Sequence, residues 1–283
     1  MQTVAQTLAR GIAALGATSE TPRADAMLLL ARALERDREW IVAHPEAAPL
    51  ETQAARFDAF CEVRKRGTPL AYVLGSAGFF GREFAVDHRV LVPRPETEHL
   101  IDEALAFLKP REPATVLDVG AGSGAIACTI AAEIGSVFVE GTDVSPDAVD
   151  VAESNARKLG VAARCRFWCG DLAEPVGERR FDVVLANLPY VPTRDLPTPP
   201  NPVGFEPRGA LDGGADGLKV YRRFLPVAPA LLNPGGLLLL EAAPPQVGGL
   251  LELAAAAFPG VDPLTGEDFA GLARYVKVRL PAR

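Results

Sequence analysis

Long apolar runs are missing from this chain of 283 residues. No stretch approaches the ~20 consecutive apolar residues of a membrane-spanning helix, and the longest aliphatic run, Leu237 to Leu240, has the length of a strand. A membrane-spanning role is excluded on that ground, and no membrane partner is expected. The first residues, Met1-Gln2-Thr3-Val4, lack the basic patch, apolar core and small-residue cleavage site of a secretory signal, so a cytoplasmic location is expected. Cysteine and histidine are scarce. Cys61, Cys128, Cys165 and Cys169 form no C-x-x-C, and His44, His88 and His99 are scattered, so neither a zinc cluster nor a disulfide framework is expected. Lysine is limited to Lys65, Lys109, Lys158, Lys219 and Lys277, and the formal net charge is -7. That balance disfavours a protein that holds nucleic acid through its phosphates, so no stable nucleic-acid binding is expected. A Walker lysine is also missing, which argues against nucleoside triphosphate hydrolysis.

Residues 1–75 carry helical periodicity. Val4, Leu8, Ile12 and Leu15 recur at spacings of three and four, Thr21-Pro22 is a helix-start signal, and Ala54 to Arg66 reads as a further helix. No catalytic cluster stands on the polar positions, so this segment reads as a structural or partner-docking module. From 76 to 93 the pattern changes to short strands, Phe79-Phe80-Gly81, Phe84-Ala85-Val86 and Val90-Leu91-Val92, which suggest a β-hairpin linker. Beyond Ala114 strands alternate with helices. Strands are expected at 115–119, 136–143, 164–169, 181–186, 236–241 and 273–280, with helices at 124–134, 146–159, 218–232 and 247–258. Such alternation implies a mostly parallel sheet covered on both faces, with the ligand at the carboxyl ends of its strands.

Leu117-Asp118-Val119-Gly120-Ala121-Gly122-Ser123-Gly124 is a strand that ends in a glycine loop and opens a helix. The G-x-G-x-G spacing differs from the G-x-G-x-x-G that cradles a dinucleotide pyrophosphate. The next strand ends in Asp143, an acid able to accept both hydroxyls of a ribose. A ribose acceptor without a pyrophosphate cradle suits a nucleoside-type cofactor, and the pattern resembles S-adenosylmethionine-dependent methyltransferases. Asp171 and Leu172 follow the third strand, where the adenine of such a cofactor would lie, Leu172 as an apolar wall.

Asn187-Leu188-Pro189-Tyr190 follows the fourth strand. Pro189 holds Leu188 extended, so the Leu188 carbonyl and the Asn187 side-chain oxygen are able to converge on the two hydrogens of one planar NH2 group. Tyr190 offers a flat face for stacking. An amide or base amine has a delocalised lone pair, and fixed acceptors on its hydrogens return electron density to nitrogen and aim it at a methyl donor. These residues leave the acceptor open between a carboxamide and an exocyclic base amine.

Joined motifs narrow the choice. Asp25 to Leu30, Thr68-Pro69-Leu70-Ala71-Tyr72-Val73-Leu74-Gly75, Leu91 to Glu98, Phe205-Glu206-Pro207-Arg208 and Gly213 to Leu218 together resemble the protein-(glutamine-N5) methyltransferases that modify class I peptide-chain release factors. The resemblance implies a doubly wound, mostly parallel seven-stranded methyltransferase sheet over residues 94–283, behind a small helical domain at 1–75, whose lack of a catalytic cluster suggests that it docks the substrate protein. It implies that Gly120, Ala121, Gly122, Ser123, Gly124, Asp143, Asp171, Leu172 and Asn187 bind S-adenosyl-L-methionine, and that Asn187, Leu188, Pro189 and Tyr190 bind the glutamine of a Gly-Gly-Gln loop. Asn187, Pro189 and Tyr190 would carry catalysis, with Glu206 and Arg208 ordering the loop above the site. Leu188 departs from the proline usual at that position in the family. The same Asn-Leu-Pro-Tyr also occurs in ribosomal RNA adenine-N6 methyltransferases, and glutamine methylation of a ribosomal protein uses the same chemistry. A non-enzymatic binding module of this fold is the remaining alternative.

Overall fold

The computed structural model describes residues 2–111, 113–268 and 271–282. The chain divides into two units: residues 1–76 with 197–205, and residues 77–196 with 206–283.

The first unit is helical, with α1 (Val4–Leu15), α2 (Pro22–Leu34), α3 (Arg38–Ala43), α4 (Glu51–Lys65) and α5 (Leu70–Leu74). Thr3 and Gln6 close a reciprocal cap on α1, and Pro22 opens α2 at the position where a missing N–H costs nothing. Val4, Leu15, Leu29, Leu30, Ile41 and Phe57 form the core. Gly11 lets α1 approach α4 closely, because a Cβ there would lie 2.3 Å from the Phe57 ring. Asp25 is buried but satisfied: Arg64 pairs with it at 2.8 Å, and the Ser19 and Thr21 hydroxyls donate to it. Residues 197–205 belong to this unit, and an added Cβ at Gly67 would lie 2.0 Å from the Pro200 carbonyl oxygen. Sequence periodicity gave no sign of this excursion, since 197–205 is a loop without a pattern of its own.

All but the first residue of a hairpin, β1 (Ser76–Phe79) and β2 (Arg82–Ala85), belongs to the second unit. Phe80 and Gly81, expected at a strand end, instead form the two-residue turn, both with positive φ. That is the backbone twist a two-residue hairpin turn requires. Val90 to Val92 is not a strand either. Asp87 accepts from the Arg89 backbone and guanidinium to make a turn, and the Val92 N–H goes to Glu206 Oε2 at 3.0 Å.

Next come α6 (Glu98–Leu108), β3 (Ala114–Val119), α7 (Ala125–Glu133), β4 (Val137–Asp143), α8 (Pro146–Lys158), β5 (Cys165–Cys169), β6 (Phe181–Ala186), α9 (Lys219–Phe224), β7 (Leu232–Glu241), α10 (Pro244–Ala257), β8 (Leu264–Glu267) and β9 (Ala273–Arg279). The strands form a seven-stranded sheet in the order β5-β4-β3-β6-β7-β9-β8, in which β9 alone runs against the others. The expected helix at 218–232 stops at Phe224, because Pro226 lacks the N–H to continue it and clashes with the preceding turn. The strand β8 was not expected: its Leu-Thr-Gly-Glu reads as turn chemistry. Gly266 faces Tyr275 across the ladder, and a Cβ there would meet the tyrosine ring.

The sheet reverses direction of growth between β3 and β6, and Val119 pairs with Ala186 there. Val119 also pairs with Thr142, and Ala186 with Leu240. The residues that follow these positions, Gly120, Asp143, Asn187 and Glu241, therefore stand side by side along one edge. This is the crevice where open α/β sheets bind ligands. Among the described residues no helix is long and apolar enough to cross a membrane, and all four cysteines are free thiols.

Candidate active site

Gly120, Gly122 and Gly124 all have positive φ, a conformation that side chains with a Cβ rarely adopt. Their surroundings differ. A Cβ on Gly122 would meet nothing within 4 Å, so this turn borders open space. One on Gly120 would press on Leu188 Cδ2 at 3.1 Å and the Asn187 carbonyl oxygen at 3.4 Å. Glycine at 120 thus allows the first loop to pack against the Asn-Leu-Pro-Tyr segment.

Asp143 accepts from the Gly122 N–H through Oδ2 at 2.8 Å and from the Ser145 N–H through Oδ1 at 2.9 Å. A carboxylate has about four lone-pair directions, so each oxygen retains one for a further donor. Burial pushes its pKa up while these two N–H donors favour the charged form. A glycine turn bordering open space, with an acid that keeps two acceptor directions, fits a ribose-bearing cofactor.

Two buried polar residues brace this loop. Asp118 is fully buried at the end of β3 and accepts from the Ala127 N–H at 3.1 Å, capping α7 where Gly124 has no side chain to do so. Burial pushes its pKa up to about 7. Asn155 of α8 donates to the Ser123 carbonyl at 2.9 Å and exchanges both amide hydrogen bonds with Ala85 of β2. The hairpin expected to be a linker is therefore fastened to the glycine loop. Asp171 is engaged by Arg223 in an exposed ion pair, while Leu172 has a φ of 48° and its side chain lies half-buried against the core.

The Asn187 Nδ2 donates to Thr97 Oγ1 at 3.1 Å, which leaves Oδ1 without a protein donor among the described residues. Leu188 is buried, and its N–H donates to Tyr221 Oη at 3.2 Å. Tyr221 Oη in turn donates to the Glu241 carbonyl oxygen. Burial pushes the Tyr221 pKa well up, so it stays a neutral hydroxyl. Tyr190 Oη donates to Glu241 Oε1 at 3.4 Å, its pKa raised by burial and by that carboxylate. Glu241 itself is 2% exposed, and burial pushes its pKa up to about 7 while the Thr97 and Tyr190 hydroxyls favour the charged form. Glu206 pairs with Arg94 at 2.5 Å and holds the segment before α6, while Arg208 pairs with Asp212.

The structure thus brings Gly120 to Gly124, Asp143 and Asn187 to Tyr190 to one sheet edge. Sequence reasoning missed Thr97, Asp118, Asn155, Tyr221 and Glu241. Thr97 sits in the Arg-Pro-Glu-Thr-Glu run that reads as a helix start, and Glu241 is an acid directly after the apolar run Leu237 to Leu240, which was the available signal.

Residues 6–75 match the family model described as PrmC N-terminal domain, and residues 99–197 match the methyltransferase small domain. The release factor glutamine methyltransferase of Moorella thermoacetica is 41% identical over 270 residues, covering 95% of each chain. The chain belongs to the release factor glutamine methyltransferase family. The same-named proteins of Geobacter sulfurreducens and Bacillus subtilis are 38% and 35% identical, covering 92% and 91% of this chain and 90% of each of theirs. Solved structures share the family's catalytic fold at lower identity. A 16S rRNA N2 G1207 methyltransferase of Thermus thermophilus superimposes with a TM-score of 0.53 at 22% identity, over 72% of this chain and 49% of its own. A ribosomal protein L11 methylase of Lactobacillus delbrueckii gives 0.50 at 19%, over 70% and 84%.

Proposed function

We propose that this member of the release factor glutamine methyltransferase family transfers the methyl group of S-adenosyl-L-methionine to the side-chain amide nitrogen of the glutamine in a release factor's Gly-Gly-Gln loop. The observation that carries the reading is the Asn187 carboxamide, held by Thr97 so that its oxygen remains an uncommitted acceptor beside the glycine loop. The cofactor supplies an electrophilic methyl carbon. Gly120 to Gly124 and Asp143 hold it, Asp143 through its remaining lone pairs, with Leu172 an apolar wall and Asp171 at the adenine end. Asn187 Oδ1 and the Leu188 carbonyl accept the two amide hydrogens of the substrate glutamine, which raises the electron density on its nitrogen and fixes its direction. Tyr190 stacks on the amide plane, and Pro189 keeps the Leu188 carbonyl in place. No strong base is needed, because the nitrogen becomes acidic once methylated and loses its proton to solvent.

The relatives that match along nearly their whole length are release factor glutamine methyltransferases, and the net charge of -7 disfavours an RNA substrate, which favours a glutamine over an adenine as acceptor. The reaction is tested with labelled cofactor and two release factors, one natural and one with the Gly-Gly-Gln glutamine replaced by glutamate. Label in the first alone is expected. Equal label in both would overturn the site of methylation.

A further inference from the structure

We infer that Tyr221 is a positioning residue for methyl transfer: its hydroxyl sets the peptide plane between Asn187 and Leu188, and with it the direction of the two acceptors that receive the substrate amide. The inference rests on the function proposed above and goes beyond it in naming what holds this segment in register from outside it. Tyr221 lies on α9, 33 positions beyond Leu188, and both side chains are buried in the same core cluster. A phenylalanine would fill the same space without a polar atom to bury. The hydroxyl therefore has a role of its own, and its partners show which.

Three backbone groups meet at Tyr221 Oη. The Leu188 N–H donates to it at 3.2 Å, the Ala186 carbonyl that ends β6 stands 3.3 Å away, and the Glu241 carbonyl that ends β7 is its other hydrogen-bond partner. A phenol carries one proton and is able to accept as well. That proton goes to the carbonyls at the strand ends, so Oη faces Leu188 as an acceptor. Two ends of a packed parallel sheet hold this acceptor in place, and among the described residues no other acceptor meets the Leu188 N–H.

A trans peptide is planar, and its N–H and C=O point in opposite directions. With the Leu188 N–H turned to Tyr221, the Asn187 carbonyl is turned to the glycine loop, where a Cβ on Gly120 would lie 3.4 Å from its oxygen. On the other side of Leu188, Pro189 restricts the leucine to extended backbone. Tyr221 and Pro189 thus govern the two peptide planes that meet at Leu188, and together they direct its carbonyl. The Asn187 side chain springs from the first of these planes, while Thr97 holds its far end. A buried donor left without an acceptor is costly. Removing Oη therefore favours rotation of the plane toward a new acceptor, which carries both substrate acceptors out of register. A residue at 188 with no N–H has nothing to regain, so the need for the hydroxyl is conditional on an N–H at that position.

The test is a double-mutant cycle read in steady-state methylation of purified release factor by the full chain, with active enzyme counted and cofactor affinity measured by calorimetry. Tyr221→Phe should lower kcat by roughly tenfold to a hundredfold, because acceptors misplaced by about 1 Å cost that much in rate. KM for the release factor and cofactor affinity should stay nearly the same. Leu188→Pro alters a residue of the substrate site and sets a rate of its own, so the decisive quantity is the further effect of Tyr221→Phe in that background. It should fall below about threefold, since coupling through one hydrogen bond vanishes with either partner. Full kcat in Tyr221→Phe would overturn the inference. So would the same fractional loss in both backgrounds, which would confine the hydroxyl to bracing the strand ends. If Tyr221→Phe alone fails to fold, the pair of enzymes with Leu188→Pro still decides: a loss of about tenfold or more between them contradicts the coupling. Failure of the functional reading itself would look different, since the unsubstituted enzyme would then leave release-factor glutamine unlabelled.

Discussion

Leu188 stands where a proline is usual in this family, and the structure gives the substitution a partner. A leucine has an N–H that proline lacks, and here that N–H is buried and donates to Tyr221 Oη. Tyr221→Phe should therefore cost about 1–3 kcal/mol by stranding a buried donor, read as a shift in the urea midpoint. In a Leu188→Pro background, with no donor to strand, the same substitution should cost clearly less. An equal cost in both backgrounds would mean that Tyr221 acts only through the Glu241 carbonyl. Asn187 and Asp143 should separate along kinetic lines. Asn187→Ala should lower kcat by about a hundredfold or more and leave cofactor affinity nearly intact, whereas Asp143→Ala should weaken cofactor binding with a smaller effect at saturation. Retained affinity in Asp143→Ala would remove the ribose assignment. These residues were legible as a pair because a glycine turn and the acid ending the next strand form a pattern in one dimension. Thr97 was not, because the residue it holds, Asn187, lies 90 positions further along the chain.

Among the elements, the hairpin and α8 act as a brace for the glycine loop. Asn155 is fully buried and satisfies the Ala85 N–H and carbonyl and the Ser123 carbonyl together. Asn155→Ala leaves those groups unpaired, so a loss of about 3 kcal/mol is expected, accompanied by weaker cofactor binding because Ser123 is released. Calorimetric cofactor affinity and denaturant unfolding measure the two effects, and unchanged affinity would detach the brace from the site. The parallel strands were legible from their continuous apolar runs between helical periods, which only a sheet buried on both faces supports. The exceptions share a cause. The helix expected to reach Leu232 is cut by Pro226, and β8 is a short edge strand whose Gly266 belongs to the packing of Tyr275, not to a local β pattern. Phe80, an aromatic, favours a strand by its sequence, but the tight turn imposes a positive φ there.

At the scale of the whole molecule, the residues named around Asn187 all belong to the second unit, and we propose that the helical unit recognises the release factor as a folded protein. Reversing exposed charge on it, as in Arg32→Glu with Arg38→Glu, should raise KM for the whole release factor several-fold by electrostatic mismatch. KM for a short Gly-Gly-Gln peptide should stay the same. Equal effects on both substrates would place the unit's role in stability. The sequence periodicity of 1–75 made the helices legible, but not the share that 197–205 takes in that unit, which a loop without periodicity does not announce.

The central claim is that the acceptor is a protein carboxamide and not a base amine. Labelled S-adenosyl-L-methionine, incubated in parallel with purified release factor, ribosomal protein and ribosomal RNA, followed by mass spectrometry of each product, tests it most directly. Methyl on the side-chain nitrogen of the Gly-Gly-Gln glutamine, with the RNA unlabelled, is the expected result; methyl on adenine with the glutamine untouched would contradict it.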